Sequence, residues 1–269
     1  VLGELRFLFP PSLGKAKASA RAELLEGQLA AALGRPVIVD VAKDYGDLES
    51  RALGAEADIV WAPSGVCARL ESGARAVFKV VRGGSSTYRA ALVARSGSRV
   101  SLATLTGLRA AWVDPLSVGG YLLVRDHLVS LAIDPDTVFA SQTFVGSHPA
   151  VIDALVHGAA DVGAVTVPRL DEKSVREAIS LYAGDTTKMI EAVTISDDAP
   201  TDAIVLTHRL SRPDARAIEL VLAPSGIDAR PPACLLFVME AETLVRARPG
   251  EYEPVLRLIR SNGAPRTRR

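Results

Sequence analysis

The first third of this chain alternates strand-like apolar runs with helix-spaced segments, and that repetition limits what it can fold into. Leu5–Phe9 reads as a strand, broken by Pro10, Pro11 and Ser12. Ala20, Leu24, Leu25, Leu29 and Leu33 keep helical spacing across residues 16–33, and Gly34 supplies a stop. Residues 36–41 then read as a strand, Tyr45–Leu53 as a helix, 58–61 as a strand ended by Pro63, 66–70 as a short helix and Ala76–Val81 as a fourth strand. Repeated β-α-β units imply a mainly parallel sheet covered by helices on both faces.

The rhythm continues with longer crossings. A turn at residues 83–87 leads into a long strand at 88–95, followed by a strand at 109–113 and a helix from Tyr121 to Leu131. A strand at 139–144, a helix over His148–Val156 and a strand at 161–165 come next. Residues 193–196 lead through Pro200 to a strand at Ala203–Leu206; 213–222 and 252–259 are helical in pattern, and the tail at 265–269 is expected to fray. No internal repeat or low-complexity segment occurs. Such a chain fits an α/β architecture of two lobes, in which ligands sit beyond the carboxyl ends of the strands.

Several function classes are excluded. With 31 basic and 31 acidic residues the chain lacks the net attraction behind non-specific nucleic-acid binding. Two cysteines rule out a disulfide scaffold and four-cysteine zinc modules; Cys67 and Cys234, in apolar runs, are expected to be buried, inert thiols. No apolar run reaches the roughly 18 residues of a membrane span. His127, His148, His157 and His208 fall into no metal-ligand spacing, and GxGxxG, GxxxxGK[ST] and GxSxG are all absent. Neither metal nor cofactor is expected. No basic, apolar leader precedes the first strand, so the chain as written reads as cytoplasmic, or as periplasmic once a signal segment has been removed.

The most informative stretch is Val113-Asp114-Pro115-Leu116-Ser117-Val118-Gly119-Gly120-Tyr121. A strand ends, a hydroxyl and small residues follow, and a helix begins. Unpaired N–H groups and the helix dipole favour an anion there, and Gly119 and Gly120 permit close approach to the backbone. The plain alternative is a strand-to-helix turn capped by Ser117.

In order and spacing, Asp58-Ile59-Val60-Trp61-Ala62-Pro63, Tyr88-Arg89-Ala90-Ala91-Leu92-Val93, the 114–121 turn, Gly146-Ser147-His148 and Asp161-Val162-Gly163-Ala164-Val165 resemble the phosphonate-binding solute receptors of ABC importers. The resemblance runs from about residue 5 to 210. It implies a type II periplasmic-binding-protein fold: lobe 1 at 1–91 plus 197–269, lobe 2 at 92–196, hinged by crossings at 88–95 and near 192–203, and closing on a ligand in the interlobe cleft. It also implies binding roles for Tyr45, Trp61, Ala62, Ser64, Tyr88, Ser117, Val118, Gly119, Gly120, Tyr121, His148 and Thr166. For Tyr45, Trp61 and His148 a purely structural place stays equally open. The family typically shows Ser-Thr-Ser-Gly at the helix start, whereas this chain has Ser117-Val118-Gly119-Gly120. Hydrogen bonds to a charged group contribute about 1.5–3 kcal/mol each, so two fewer weaken oxyanion binding roughly 10²- to 10⁴-fold.

The leading expectation is a non-catalytic solute-binding protein for a small anion, phosphonate-like or a related oxyanion, serving ABC import with a permease partner or ligand sensing. Two alternatives stand beside it. One is an enzyme on the same fold, akin to menaquinone-precursor dehydratases, with His148 or Asp114 as acid or base. The other is an intracellular ligand-sensing domain.

Overall fold

The computed structural model describes residues 3–11, 15–168, 172–224 and 229–262; the tail at 265–269 lies outside the described residues. Contacts divide the chain into two compact units. The first runs through Ser86 and resumes at Pro200–Pro254; the second comprises Thr87–Ala199 and the stretch from Val255. The chain thus changes unit at Ser86/Thr87, Ala199/Pro200 and Pro254/Val255, whereas the sequence places the lobe boundaries at 91/92 and 196/197. The strand at 88–95, read as a crossing, belongs wholly to the second unit.

In the first unit the elements are β1 (Leu5–Phe9), α1 (Lys15–Leu33), β2 (Val37–Val41), α2 (Tyr45–Leu53), β3 (Ile59–Ala62), α3 (Ser64–Leu70) and β4 (Ala76–Val81). After the return come β11 (Ala203–Leu206), α7 (Arg212–Leu222), α8 (Ala233–Met239) and β12 (Thr243–Arg246). Six strands form one sheet in the order β12-β4-β11-β3-β1-β2. β1 pairs in parallel with β2 and β3, but β11 inserts antiparallel between β3 and β4, and β12 pairs antiparallel to β4. All residues of β3, β4 and β11 are buried, as central strands covered on both faces must be. Asp44 caps α2 by accepting the Asp47 N–H at 2.7 Å, a contact worth about 1 kcal/mol that fixes the helix start at Tyr45.

The second unit contains β5 (Thr87–Arg95), β6 (Arg109–Trp112), α4 (Leu123–Ser130), β7 (Ser141–Phe144), α5 (His148–Val156), β8 (Val162–Val167), α6 (Glu172–Ala183) and β9 (Ile190–Ile195); β10 (Ala199–Pro200) straddles its end, and α9 (Glu253–Asn262), at the end of the described chain, belongs to it from Val255 onward. Its sheet runs β10-β5-β8-β6-β7, and β9 also pairs with β5. β6 is parallel to β7 and β8, while β5 is antiparallel to β8 and β9. Val93, Val113, Val151, Leu155, Val165 and Ile179 share its core. Gly163 sets the seat of α5: a Cβ there would lie 2.4 Å from Val151 Cγ1, so only glycine lets the helix sit this close to β8.

Both sheets are mixed rather than mainly parallel: in the first unit the returning β11 and β12 run against the β-α units, and in the second the entering strand β5 does. The helix expected from Tyr121 opens earlier, as a π-helical turn over Val118–Leu122 that continues into α4. The strand expected at 139–144 is confined to β7, and β9 starts at Ile190 instead of 193. α6, α8 and β12 carry no expectation from the sequence.

Candidate functional site

Within the second unit, four elements converge. The β6-to-α4 turn is shaped by Asp114, whose Oδ1 accepts the Leu116 N–H at 2.8 Å and whose carbonyl accepts the Ser117 N–H at 2.9 Å. Ser117 is the N-cap, its buried Oγ accepting the Gly120 N–H at 3.1 Å. That bond uses an oxygen lone pair, so the hydroxyl proton remains a donor. The Leu122 N–H reaches back five residues to the Ser117 carbonyl at 3.0 Å, the π-helical bond that widens this turn. Among the described hydrogen bonds, none is donated by the Val118 or Gly119 N–H. The turn therefore offers two amides and one hydroxyl at the positive end of a helix.

The two glycines are required by the protein's own packing. A Cβ on Gly119 would lie 2.1 Å from Thr166 Cγ2 and 2.8 Å from Tyr88 Cε2; on Gly120 it would lie 2.3 Å from Val113 Cγ2. Gly119 thus brings the turn against Tyr88 at the start of β5 and Thr166 near the carboxyl end of β8. Thr166 Oγ1 is 2.5 Å from the Tyr182 hydroxyl, and the Tyr182 ring stacks on His148 with centroids 4.8 Å apart. His148 is the first residue of α5, capped by Ser147. Burial, opposed by a hydrogen bond to the Ala164 backbone, lowers its pKa to about 4, so the imidazole is neutral at pH 7.

Five residues singled out in the sequence, Ser117, Gly119, Tyr88, Thr166 and His148, are therefore joined by a contact series, and Tyr182 is its missing member. Tyr182 lies on α6 and belongs to no motif. The spacing Val175, Ala178, Ile179, Tyr182 is its one sequence signal, a helical stripe that turns the tyrosine towards the core. Val118 is buried and offers only its backbone. Tyr121 turns to other company: its ring packs 5.7 Å from Trp112 and 5.1 Å from Phe144, with the Arg125 guanidinium over it.

In the first unit, Tyr45, Trp61, Ala62 and Ser64 are all buried. Trp61 packs edge-on against Phe9 at 4.6 Å and donates its indole N–H to Asp202. Arg82 grips the same carboxylate with bonds of 2.6 and 3.0 Å and also donates to the Met239 carbonyl at the end of α8. The Trp61 N–H is thus committed, and the ring edge is locked by an Arg–Asp pair. Ser64 Oγ is buried without a hydrogen-bond partner. Cys67 and Cys234 are both free and buried, and burial pushes both thiols up, which leaves neither as a thiolate.

The fold is similar to those of known binding proteins. A binding-protein component of an ABC phosphonate transporter from Pseudomonas aeruginosa matches with a TM-score of 0.81 at 18% identity, over 97% of this chain and 86% of that one. PhnD1 from Prochlorococcus marinus, solved in complex with methylphosphonate, matches with a TM-score of 0.81 at 17% identity, over 97% and 98% of the two chains. A Xanthomonas citri protein solved with chloride matches with a TM-score of 0.74 at 18% identity, over 97% of each. No curated protein matches the chain by sequence. The class is that of the type II periplasmic-binding-protein fold, built of two α/β units. More narrowly, residues 7–230 match the family described as ABC transporter, phosphonate, periplasmic substrate-binding protein, and the chain belongs to that family.

Proposed function

We propose that this solute-binding protein captures a small oxyanion of the phosphonate class on the second unit, at the Ser117–Gly120 turn, with Tyr88, Thr166 and His148 around it. It works in the periplasm, the family's compartment, rather than the cytoplasm, and delivers the ligand to an ABC permease. The observation that carries this reading is Gly119. Its missing side chain draws a turn with two amides that donate none of the described hydrogen bonds against the Tyr88 ring and the Thr166 methyl group. Donors of this kind bind an anion without net positive charge on the protein. With Val118 and Gly119 supplying no hydroxyls, backbone amides carry more of the binding, and phosphonates bearing bulk near the turn are disfavoured.

Calorimetric titration with methylphosphonate, phosphate, phosphite and acetate tests the reading. Saturable binding of a phosphorus oxyanion, weakened about tenfold or more in Ser117→Ala, supports it; a lost hydrogen bond to a charged group is worth that much. No binding across the panel, or binding untouched by Ser117→Ala, overturns it.

A further inference from the structure

Thr166 meets the Ser117–Gly120 turn with its methyl group. A Cβ on Gly119 would lie 2.1 Å from Thr166 Cγ2 and 3.4 Å from Thr166 Cβ, so the methyl packs on the bare Cα of the glycine. The hydroxyl is engaged elsewhere: Oγ1 lies 2.5 Å from the Tyr182 hydroxyl, its one side-chain partner among the described residues. Tyr182 is held in turn by the fold. It stands in the last turn of α6 and packs against the core that Val175, Ala178 and Ile179 enter from the same helix. Its ring lies within 26° of parallel to the His148 ring, with centroids 4.8 Å apart.

A threonine is stiff at χ1 and occupies one of three staggered positions. The backbone of Thr166 is fixed in β8, where it lies opposite Ala90 of β5, so χ1 alone decides which atom meets Gly119. Of the two other positions, one would bring the hydroxyl to the place of Cγ2 and the other the Cβ hydrogen. A hydroxyl is close to a methyl in size, so packing on Gly119 separates the observed position from the first alternative only weakly. The bond to Tyr182 separates them strongly, because it exists in the observed position alone.

Resting on the oxyanion reading above, we infer that Tyr182 is a positioning residue for the anion site. Its hydroxyl locks Thr166 in the rotamer that sets the methyl against Gly119, and that contact holds the Val118 and Gly119 amides where the ligand takes them. Tyr182 touches no ligand atom and acts through Thr166. Apparent affinity scales with the fraction of molecules in the binding arrangement, and a neutral hydrogen bond is worth enough to change that fraction about 2- to 10-fold.

Tyr182→Phe keeps the ring on His148 and removes only the hydroxyl. In calorimetric titration it is expected to bind methylphosphonate about 2- to 10-fold more weakly than the wild type. Thr166→Val in the same background is the rescue. Valine has no hydroxyl to place, and two of its three staggered positions set a methyl against Gly119, so affinity is expected to return to within about twofold of the wild type. Thr166→Val alone is expected to bind like the wild type. In the ligand-free proteins, three-bond couplings to the Thr166 methyl carbon are expected to report one χ1 rotamer in the wild type and an average over rotamers in Tyr182→Phe. Unchanged affinity in Tyr182→Phe overturns the inference, since the bond then serves the fold alone. So does a loss that Thr166→Val fails to restore, which would put Tyr182 or the Thr166 hydroxyl on the ligand itself. A single rotamer in both proteins, or averaging already in the wild type, overturns it as well. Failure of methylphosphonate to bind the wild type overturns the functional reading instead, and the couplings then decide the rotamer lock by themselves.

Discussion

Gly119→Ala has a sign that depends wholly on what surrounds the residue. Gly119 has no positive φ, so alanine fits its backbone, and a helical glycine with room around it gains about 1 kcal/mol from that change. Here the added carbon would stand 2.1 Å from Thr166 Cγ2 and 2.8 Å from Tyr88 Cε2, against contacts of about 3.5–4.0 Å between well-packed carbons. Thr166 must retreat by more than 1 Å, which places the cost at the upper end of the roughly 1–3 kcal/mol of overpacking. After the propensity gain, the net destabilisation is about 2 kcal/mol. Urea unfolding with an unchanged slope is the assay. Thr166→Ser supplies the control: it removes Cγ2, leaves Cβ at 3.4 Å and keeps the hydroxyl that meets Tyr182. The double variant is expected to recover about 1 kcal/mol beyond additivity, since contacting residues couple by that order. A neutral or stabilising Gly119→Ala, or strict additivity with Thr166→Ser, would refute the packing argument on which the site rests.

Three further outcomes follow. Asp202→Ala leaves Arg82 and the Trp61 indole N–H without their shared acceptor and costs about 1–3 kcal/mol; in a Trp112→Phe background, Trp61 fluorescence shifts with it, and an unchanged spectrum contradicts the network. His148 has a folded pKa lowered to about 4 from 6.5, so its contribution is present in full above pH 6.5 and is lost as pH falls towards 4. The loss approaches about 3 kcal/mol, and His148→Gln, measured by denaturation at pH 4.5 and 7, removes most of that pH dependence. Cys67 is fully buried with its thiol held protonated; iodoacetamide is expected to label it only as fast as the protein unfolds, and rapid native-state labelling would contradict its packing.

The order of the early elements was legible because each of β1 to β4 and their helices keeps one period of hydrophobicity, and Pro or Gly marks most breaks. Antiparallel insertion of β11 was not, since a four-residue apolar run looks the same in either direction. α8 escaped for a related reason: Ala233–Met239 is apolar almost throughout and shows no stripe. At the site, Ser117 and the glycines stood out by chemistry, but the cause of the glycines did not. Gly119 and Gly120 leave space that Thr166, Tyr88 and Val113 fill, and contacts so distant in sequence write no local pattern. Tyr182 shows the limit most sharply, as its role depends on which ring α6 lays it against. Trp61 carried two readings, and its buried N–H bond to Asp202 shows how firmly the fold holds it.

The central claim is that an oxyanion sits on the turn of the second unit. Titrating methylphosphonate into nitrogen-15-labelled protein and following backbone amides tests it most directly. The account predicts saturable shifts of the Val118 and Gly119 amides, with Thr166 and the His148 ring moving in step at the same dissociation constant. Saturable binding that leaves the Val118 and Gly119 amides unmoved would contradict it.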